Sequence, residues 1–415
     1  MRVLAVAPEP FFTPRGTPFS VYYRTLVASR LGASVDVLTY GEGEDIALTD
    51  VRTIRIPPMR FLGSVKIGPS LGKLARDLVM VVWTTAILVR RRYDIVHAHE
   101  EAIFWCLFLK PFFDFKLVYD MHSSLPQQLT NFEYTDSKLI VGVFRWLERY
   151  ALRHSDAVVT ICEALADHAE SEMGESERHL LIENSLFEEI RLAGMQDRSA
   201  EDSAGEAIPD LPAGRPLVLY AGTFEPYQGI DLLLQSFAIA VREVPAAYLL
   251  VVGGTEAQIR RYEKIAEGCG LTDDISLAQR VPSSVARSLL ARAAVVTSPR
   301  VTGTNTPLKI YEILASGVPL VATDIPSHTQ VLDDGVCFLA EPEPEPFARA
   351  LVAALTDRER RERTISAARR LYEDEYSPAA YEEKMRRLFE LLDPRRPEAA
   401  DTAPPSRHSV QNPTA

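Results

Sequence analysis

The stretch Val295–Asp324, VVTSPRVTGTNTPLKIYEILASGVPLVATD, carries the fold in miniature. Val295 to Thr297 is a short apolar run of the kind that forms a buried strand, and Pro319 to Ala322 is another. Between them Thr304, Asn305 and Thr306 are helix N-cap residue types, and Pro307 suits a first helical turn. A strand, a helix and a strand within thirty residues form a parallel unit. Outward from this unit the same rhythm repeats. Leu217 to Ala221, Tyr248 to Val252 and Ile275 to Leu277 precede it as strands. Earlier in the chain come Arg2 to Ala7, Val35 to Thr39, Ile95 to His97, Leu117 to Tyr119 and Ala157 to Ile161. Helical patterns separate them, so each half is an α/β layer with a parallel sheet.

The two halves are divided where the rhythm breaks. Met195 to Pro216 contains AEDSAGEAIPDLPAGRP, rich in Ala, Gly, Pro and acids, which reads as an exposed linker. The expected organisation is an N-terminal Rossmann-like domain over residues 1–205 and a C-terminal one over 206–377. A helix follows at 378–393 and a Pro-, Ser- and Ala-rich disordered tail at 394–415. The length of 415 residues suits two domains.

Composition narrows the function. A net charge of -12 argues against a general nucleic-acid binder. The four cysteines, Cys106, Cys162, Cys269 and Cys337, are far apart, which suits a reducing, cytoplasmic compartment. No charged-then-apolar signal pattern opens the chain, and the apolar run Leu78 to Val89 is too short to span a bilayer.

Open parallel sheets bind ligands at the carboxyl ends of their strands, so the chemistry is sought there. After Ala221 comes GTFEPYQG, in which Gly222 and Gly229 let backbone approach a ligand and amide groups meet a phosphate. A tight strand-to-helix turn is the plain alternative. In the decisive stretch Lys309 falls in a first helical turn, where a cation opposes the helix dipole unless it meets an anion. Glu312 shares its face, so a phosphate cation stands beside an acceptor for ribose hydroxyls; the alternative is a surface Lys–Glu pair. In the first half, Gly16 and Thr17 open a helix after the first strand, and His97, His99 and His122 lie at strand ends. For His97 a hydrogen-bonded structural role is preferred. No Asp-x-Asp occurs and no His/Cys/Asp group has metal-ligand spacing, so no metal and no cofactor are expected.

Together these residues resemble the family-4 retaining glycosyltransferases of the GT-B fold, along residues 1 to 392 in motif order. The resemblance implies two facing Rossmann-like domains with a cleft between them and a C-terminal helix crossing back. It implies a nucleoside-diphosphate sugar as donor substrate, held by the second domain. Gly16 matches the first domain's Gly-rich loop, and His122 the histidine near the donor sugar. Where the family has Gly-Arg-x-x-x-x-Lys-Gly this chain has GTFEPYQG, with Thr223 and Gln228 in place of the cations. Of the family's paired glutamates Glu312 matches the second, while Thr304 stands at the first. TPLKIYEILASG looks like a subgroup that carries its phosphate-binding lysine on this helix. The implied site is therefore His122 and Lys309 as catalytic residues. Gly222, Thr223, Gln228, Gly229, Thr304, Asn305, Thr306 and Glu312 complete the donor site. Gly16, Thr17 and His99 lie on the acceptor side.

Two other readings stay open: a nucleotide-sugar epimerase, and a silent sugar-nucleotide-binding protein, which the replaced residues favour. The acceptor is expected to be a glycan or lipid-linked. Residues 51–92 hold nine basic side chains (Arg52, Arg55, Arg60, Lys66, Lys73, Arg76, Arg90, Arg91, Arg92) against one acid, Asp77, a local excess of nine minus one, or +8. With Phe61, Leu62, Val65, Ile67 and the run Leu78 to Val89 nearby, this segment suits an anionic membrane surface at the inner face. A buried helix with solvated charged ends is the alternative.

Overall fold

The computed structural model describes residues 1–11, 16–43, 50–63, 65, 70–124, 138–174, 177–183, 211–303 and 305–393. The linker core, the tail from 394 and Thr304 lie outside the described residues.

The first half alternates β1 (Arg2–Ala7), α1 (Gly16–Arg30), β2 (Ser34–Thr39), β3 (Val51–Arg55), α2 (Leu71–Arg90), β4 (Ile95–His99) and α3 (Ala102–Leu109), then β5 (Lys116–Met121), α4 (Lys138–His154), β6 (Ala157–Thr160), α5 (Glu163–Met173) and β7 (His179–Leu181). The second half runs β8 (Leu217–Ala221), α6 (Ile230–Glu243), β9 (Tyr248–Gly254), α7 (Glu256–Gly268), β10 (Ile275–Gln279), α8 (Ser283–Arg292), β11 (Val295–Ser298), α9 (Lys309–Ser316) and β12 (Leu320–Thr323). It ends with α10 (Pro326–Thr329), β13 (Phe338–Ala340), α11 (Pro344–Thr356), α12 (Arg358–Leu371) and α13 (Pro378–Leu392). All the strand pairs are parallel.

The strand orders are β3-β2-β1-β4-β5-β6-β7 and β10-β9-β8-β11-β12-β13. In each sheet the chain winds outward from the first strand, then returns to wind the other way. The reversal falls between β1 and β4 in one sheet and between β8 and β11 in the other. A crevice opens at the carboxyl ends of such strands. Both sheets are covered on two faces, which is why the central strands are near-continuous apolar runs. On the first sheet α1 and α13 pack one face, and α2 to α5 the other. On the second, α6, α7 and α11 oppose α8, α9 and α12.

The C-terminal helix does cross back. Tyr381, Met385, Leu388, Phe389 and Leu392 are buried in the core of the first sheet with Val3, Tyr22 and Val35. Ser377 caps its start, accepting from the Ala380 amide at 3.2 Å, and Pro378 follows at the first position. Each such side chain gains about 1.5–3 kcal/mol on burial, so this helix is a structural part of the first domain although the second domain precedes it.

Candidate active site

In the second half the site is built on two loops at the β8–β11 switch point. Gly222 follows β8, and a Cβ there would lie 2.8 Å from the Tyr220 hydroxyl and 3.5 Å from Lys309 Nζ. Gly229, at φ +73°, admits no Cβ because the Pro299 carbonyl oxygen would stand 1.9 Å away. The loop after β8 and the loop after β11 are therefore in direct contact, and Val301 N donates to Tyr227 O at 3.0 Å. The amides of this loop are less available than its glycines suggest. Gly222 N donates to Val252 O, Gln228 N to Glu225 O and Gly229 N to Pro226 O. These three amides are held within the fold, so any amide offered to a phosphate comes from the rest of the loop, Thr223 to Glu225 and Tyr227. Thr223 O accepts from the Tyr220 hydroxyl at 2.7 Å.

The helix of the decisive stretch begins later than its cap-forming residues suggest. Leu308, not Thr304, Asn305 or Thr306, is the N-cap of α9, and no side chain caps it. Ile310 N bonds Pro307 O at 2.9 Å, and Arg300 Nη1 binds Asn305 O at 2.9 Å, so the approach to the helix is held as a loop. Lys309 is the first helical residue, as its polarity argument requires. Its Nζ is buried over the Tyr220 ring, 4.2 Å from the centroid, with no hydrogen-bond partner among the described residues. Burial, and then the charge of Arg300, push its pKa down to about 7. The surface Lys–Glu pair therefore does not form. Glu312 lies near Tyr372 and helps to raise that phenol's pKa after burial has done so. Thr306 is buried, and Asn305 is exposed and turned toward the first domain. Beneath the loops His328 accepts or donates at Ser298 Oγ, 2.9 Å away; burial is the main cause of its fall to about 4.

In the first half a guanidinium and three imidazole rings converge on Asp120 near the end of β5. Arg24 Nε stands 2.6 Å from Oδ2, His97 Nε2 2.9 Å and His99 Nδ1 3.4 Å from the same oxygen, and His122 Nε2 3.3 Å from Oδ1. Burial would raise the Asp120 carboxyl; Arg24, His122 and His99 overcome it and hold it well below the usual range. Burial lowers His122 to about 4, so it is neutral at pH 7, and its Nδ1 has no partner among the described residues. His97 is hydrogen-bonded to Asp120 and stacked on His99 at 4.7 Å. The sequence showed no metal-ligand spacing, yet folding brings His97, His99 and Asp120 ligand atoms within 4.8 Å of one another. That expectation is corrected as to geometry, while Arg24 already stands as an ion-pair partner on the Asp120 oxygen that His97 and His99 face.

Beside this cluster, at the β1–β4 switch point, Glu100 adopts φ +49°, a left-handed conformation unusual for a glutamate. Ser123 Oγ donates to it at 2.9 Å, and burial followed by the Glu101 charge raises it to about 8. Gly16 and Thr17 open α1, and the Thr17 side chain lies outside the described residues. Sequence reading missed Arg24, Asp120, Glu100 and Arg300. Arg300 alone left a signal, two residues past a strand end inside the loop already singled out.

The halves touch across the cleft. Cys162 Sγ lies 3.8 Å from Asn305 Oδ1, and Ala164 N donates to Gln330 Oε1 at 2.9 Å. No hydrogen bond or ion pair joins His99 or His122 to Lys309 among the described residues.

Residues 205–371 match the family described as Glycosyl transferases group 1, and residues 22–185 match the Glycosyl transferase 4-like domain. Sucrose-phosphate synthase from Thermosynechococcus elongatus superposes with a TM-score of 0.68 at 18% identity, covering 94% of this chain and 98% of that one. The chain is a glycosyltransferase of the GT-B fold. Anabaena HepE, solved with UDP, shares the fold at a TM-score of 0.67 and 15% identity, over 94% of this glycosyltransferase and all (100%) of that chain. Among sequence relatives, a phosphatidyl-myo-inositol mannosyltransferase of Mycobacterium leprae is 25% identical over 381 residues, 88% of this chain and 91% of its own. A D-inositol 3-phosphate glycosyltransferase of Xylanimonas cellulosilytica is 33% identical over 178 residues, 42% of each chain.

The glycosyltransferase carries an apolar face on its first domain. Leu71, Leu74, Leu78, Val82 and Val89 of α2 are exposed, with Phe108, Phe112, Trp146 and Tyr150 on neighbouring elements. Leu78 and Val82 are 62% and 60% exposed while Met80, Thr84 and Leu88 are buried, so α2 lays one face in the core and leaves an apolar stripe in solvent. The cations of 51–92 are less free than their count suggests. Arg76 is 1% exposed and bonded to Glu42, Gly72 O and Gly63 O; Arg52 pairs with Asp36, Lys73 with Glu101, and Arg55 binds Glu42 O. Lys66 and Ile67 lie outside the described residues. No helix among the described residues is long and apolar enough to cross a membrane.

Proposed function

We propose that this glycosyltransferase moves a sugar from a nucleoside-diphosphate donor to an acceptor hydroxyl with retention of configuration, without a metal, in glycan or glycolipid synthesis. The buried Lys309 ammonium with no counterion, set against Gly222, is the observation that carries the reading. An isolated buried cation is costly, and a diphosphate supplies the missing charge. In this reading Lys309 and the α9 N-terminus stabilise the charge that grows on the leaving diphosphate. Glu312 holds the ribose, and the Gly222–Gly229 loop with Thr223 and Gln228 shapes the phosphate wall. Asn305 and Thr306 line the approach, and Thr304 is assigned to the donor site by the resemblance alone. His122, neutral and with a free Nδ1, receives a sugar hydroxyl, backed by His99. Gly16 and Thr17 serve the acceptor side.

The relatives named for phosphatidyl-myo-inositol support a lipid-linked acceptor, and the exposed face of α2 supports docking on an anionic leaflet at the cytoplasmic side. The replacements at Thr223 and Gln228 favour a second reading, a protein that binds the sugar nucleotide without turning it over. Incubation with UDP-, GDP- and ADP-sugars in excess EDTA, followed by detection of released nucleoside diphosphate and the anomeric configuration of the product, tests both. Turnover in chelator is expected. Activity lost in EDTA and restored by Mg²⁺ or Mn²⁺ contradicts metal independence, and tight binding with no turnover selects the second reading.

A further inference from the structure

Arg300, close enough to Lys309 to depress its pKa, is a second cation with no carboxylate partner among the described residues, and its side chain hydrogen-bonds Tyr227. Its guanidinium lies over the Tyr227 ring, 5.0 Å from the centroid, and Nη1 donates to Asn305 O at 2.9 Å. Its Nε is buried without a hydrogen-bond partner among the described residues. Gly303, at φ +137°, leaves it room: a Cβ there would stand 2.9 Å from the guanidinium carbon. Lys309 and Arg300 are thus each plated on a tyrosine face, Tyr220 and Tyr227, where a carboxylate would ordinarily stand. Each cation feels the other. Arg300 depresses Lys309, and both depress His328. Among the described residues no carboxylate contributes to the electrostatics of either cation. A π face steadies a cation without neutralising it, so the charge stays available to a ligand. The loop that carries Arg300 is fixed to the turn that carries Tyr227 through Val301 N to Tyr227 O, so Arg300 is held on that ring.

We propose that Arg300 and Lys309 form a two-point clamp for the adjacent phosphates of a diphosphate, Arg300 as a planar fork and Lys309 as a point charge. This rests on the reading of the second domain as a nucleoside-diphosphate site. A monophosphate can engage only one of the two.

Calorimetric titration of the full chain with UDP, GDP and ADP, with the matching monophosphates, and with inorganic pyrophosphate tests it. The wild type should prefer the diphosphate of its nucleoside. Arg300→Gln should weaken diphosphate and pyrophosphate binding by about 10–100-fold and leave the monophosphate within about threefold. Arg300→Lys, which keeps charge but loses the fork, should fall between them and serves as the readable variant if the glutamine does not fold. Unchanged diphosphate affinity in Arg300→Gln, with loss in Lys309→Ala, overturns the clamp while sparing the donor reading. An equal loss of mono- and diphosphate overturns the two-point assignment. Arg300-dependent binding of pyrophosphate with no binding of any nucleotide upholds the clamp and sinks the nucleoside reading, and no binding of any of these anions sinks both.

Discussion

Lys309 has a tyrosine ring for a neighbour where an acid would be ordinary, and that has a cost in the empty protein. Its pKa of about 7 lies below the 10.5 of an ordinary lysine. Between those values the unfolded chain holds one proton more than the folded one, so unliganded stability should rise with pH from about 7 toward 10. Lys309→Met should flatten that slope and raise stability at pH 7 by about 1–2 kcal/mol while abolishing diphosphate binding. Thermal melts against pH read it, and a variant less stable than wild type at every pH contradicts the unpaired state. Glu312→Ala should weaken nucleoside diphosphates but spare pyrophosphate; an equal loss of both would remove Glu312 from the ribose. Lys309 was legible from sequence because a cation in a first turn is misplaced on local grounds. Arg300 and Asp120 were not. What makes them unusual is a tyrosine, an arginine or a histidine brought from another strand end, and no spacing along the chain encodes that.

At the scale of elements, the central strands were readable because burial on both faces makes them continuous apolar runs. β3, β7 and β13 were missed. They are short strands at or next to a sheet edge, half-buried in the first two cases, and carry little of that signal. The start of α9 was misplaced because Thr, Asn and Thr are cap residues by type, whereas here the loop is held by Arg300. For α2 the composition pointed to a basic surface, whereas several of its cations are internal ties and an apolar stripe is what reaches solvent. The wild type should therefore sediment with anionic vesicles at low salt and less at high salt. Leu78→Glu combined with Val82→Glu, both exposed and so compatible with folding, should abolish sedimentation. Equal binding by that double variant removes α2 as the docking face, and no binding by the wild type at low salt leaves a soluble acceptor.

Across the whole molecule, the crossing helix ties the two halves to the histidine cluster. Arg24, which pairs with Asp120, also donates to Ile182 O at 3.0 Å and contacts the Tyr381 hydroxyl of α13 at 3.4 Å, while Lys384 pairs with Glu183 at 2.7 Å. Leu388→Ala, at a fully buried contact of that helix, should cost about 2–5 kcal/mol. On the other side of the cleft the Cys162–Asn305 contact offers a lock. Asn305→Cys should form a disulfide with Cys162 under oxidation and stop turnover, with activity returning on reduction, if opening and closing accompany catalysis. Activity equal in both redox states would show that the observed domain arrangement turns over as it stands. The central claim is that the second domain holds a nucleoside diphosphate through Lys309. The most direct measurement is calorimetric titration of wild type and Lys309→Ala with UDP, GDP and ADP. The account predicts that at least one binds the wild type and that Lys309→Ala, still folded, loses that affinity by about 100-fold or more; equal affinity in the two proteins would contradict it.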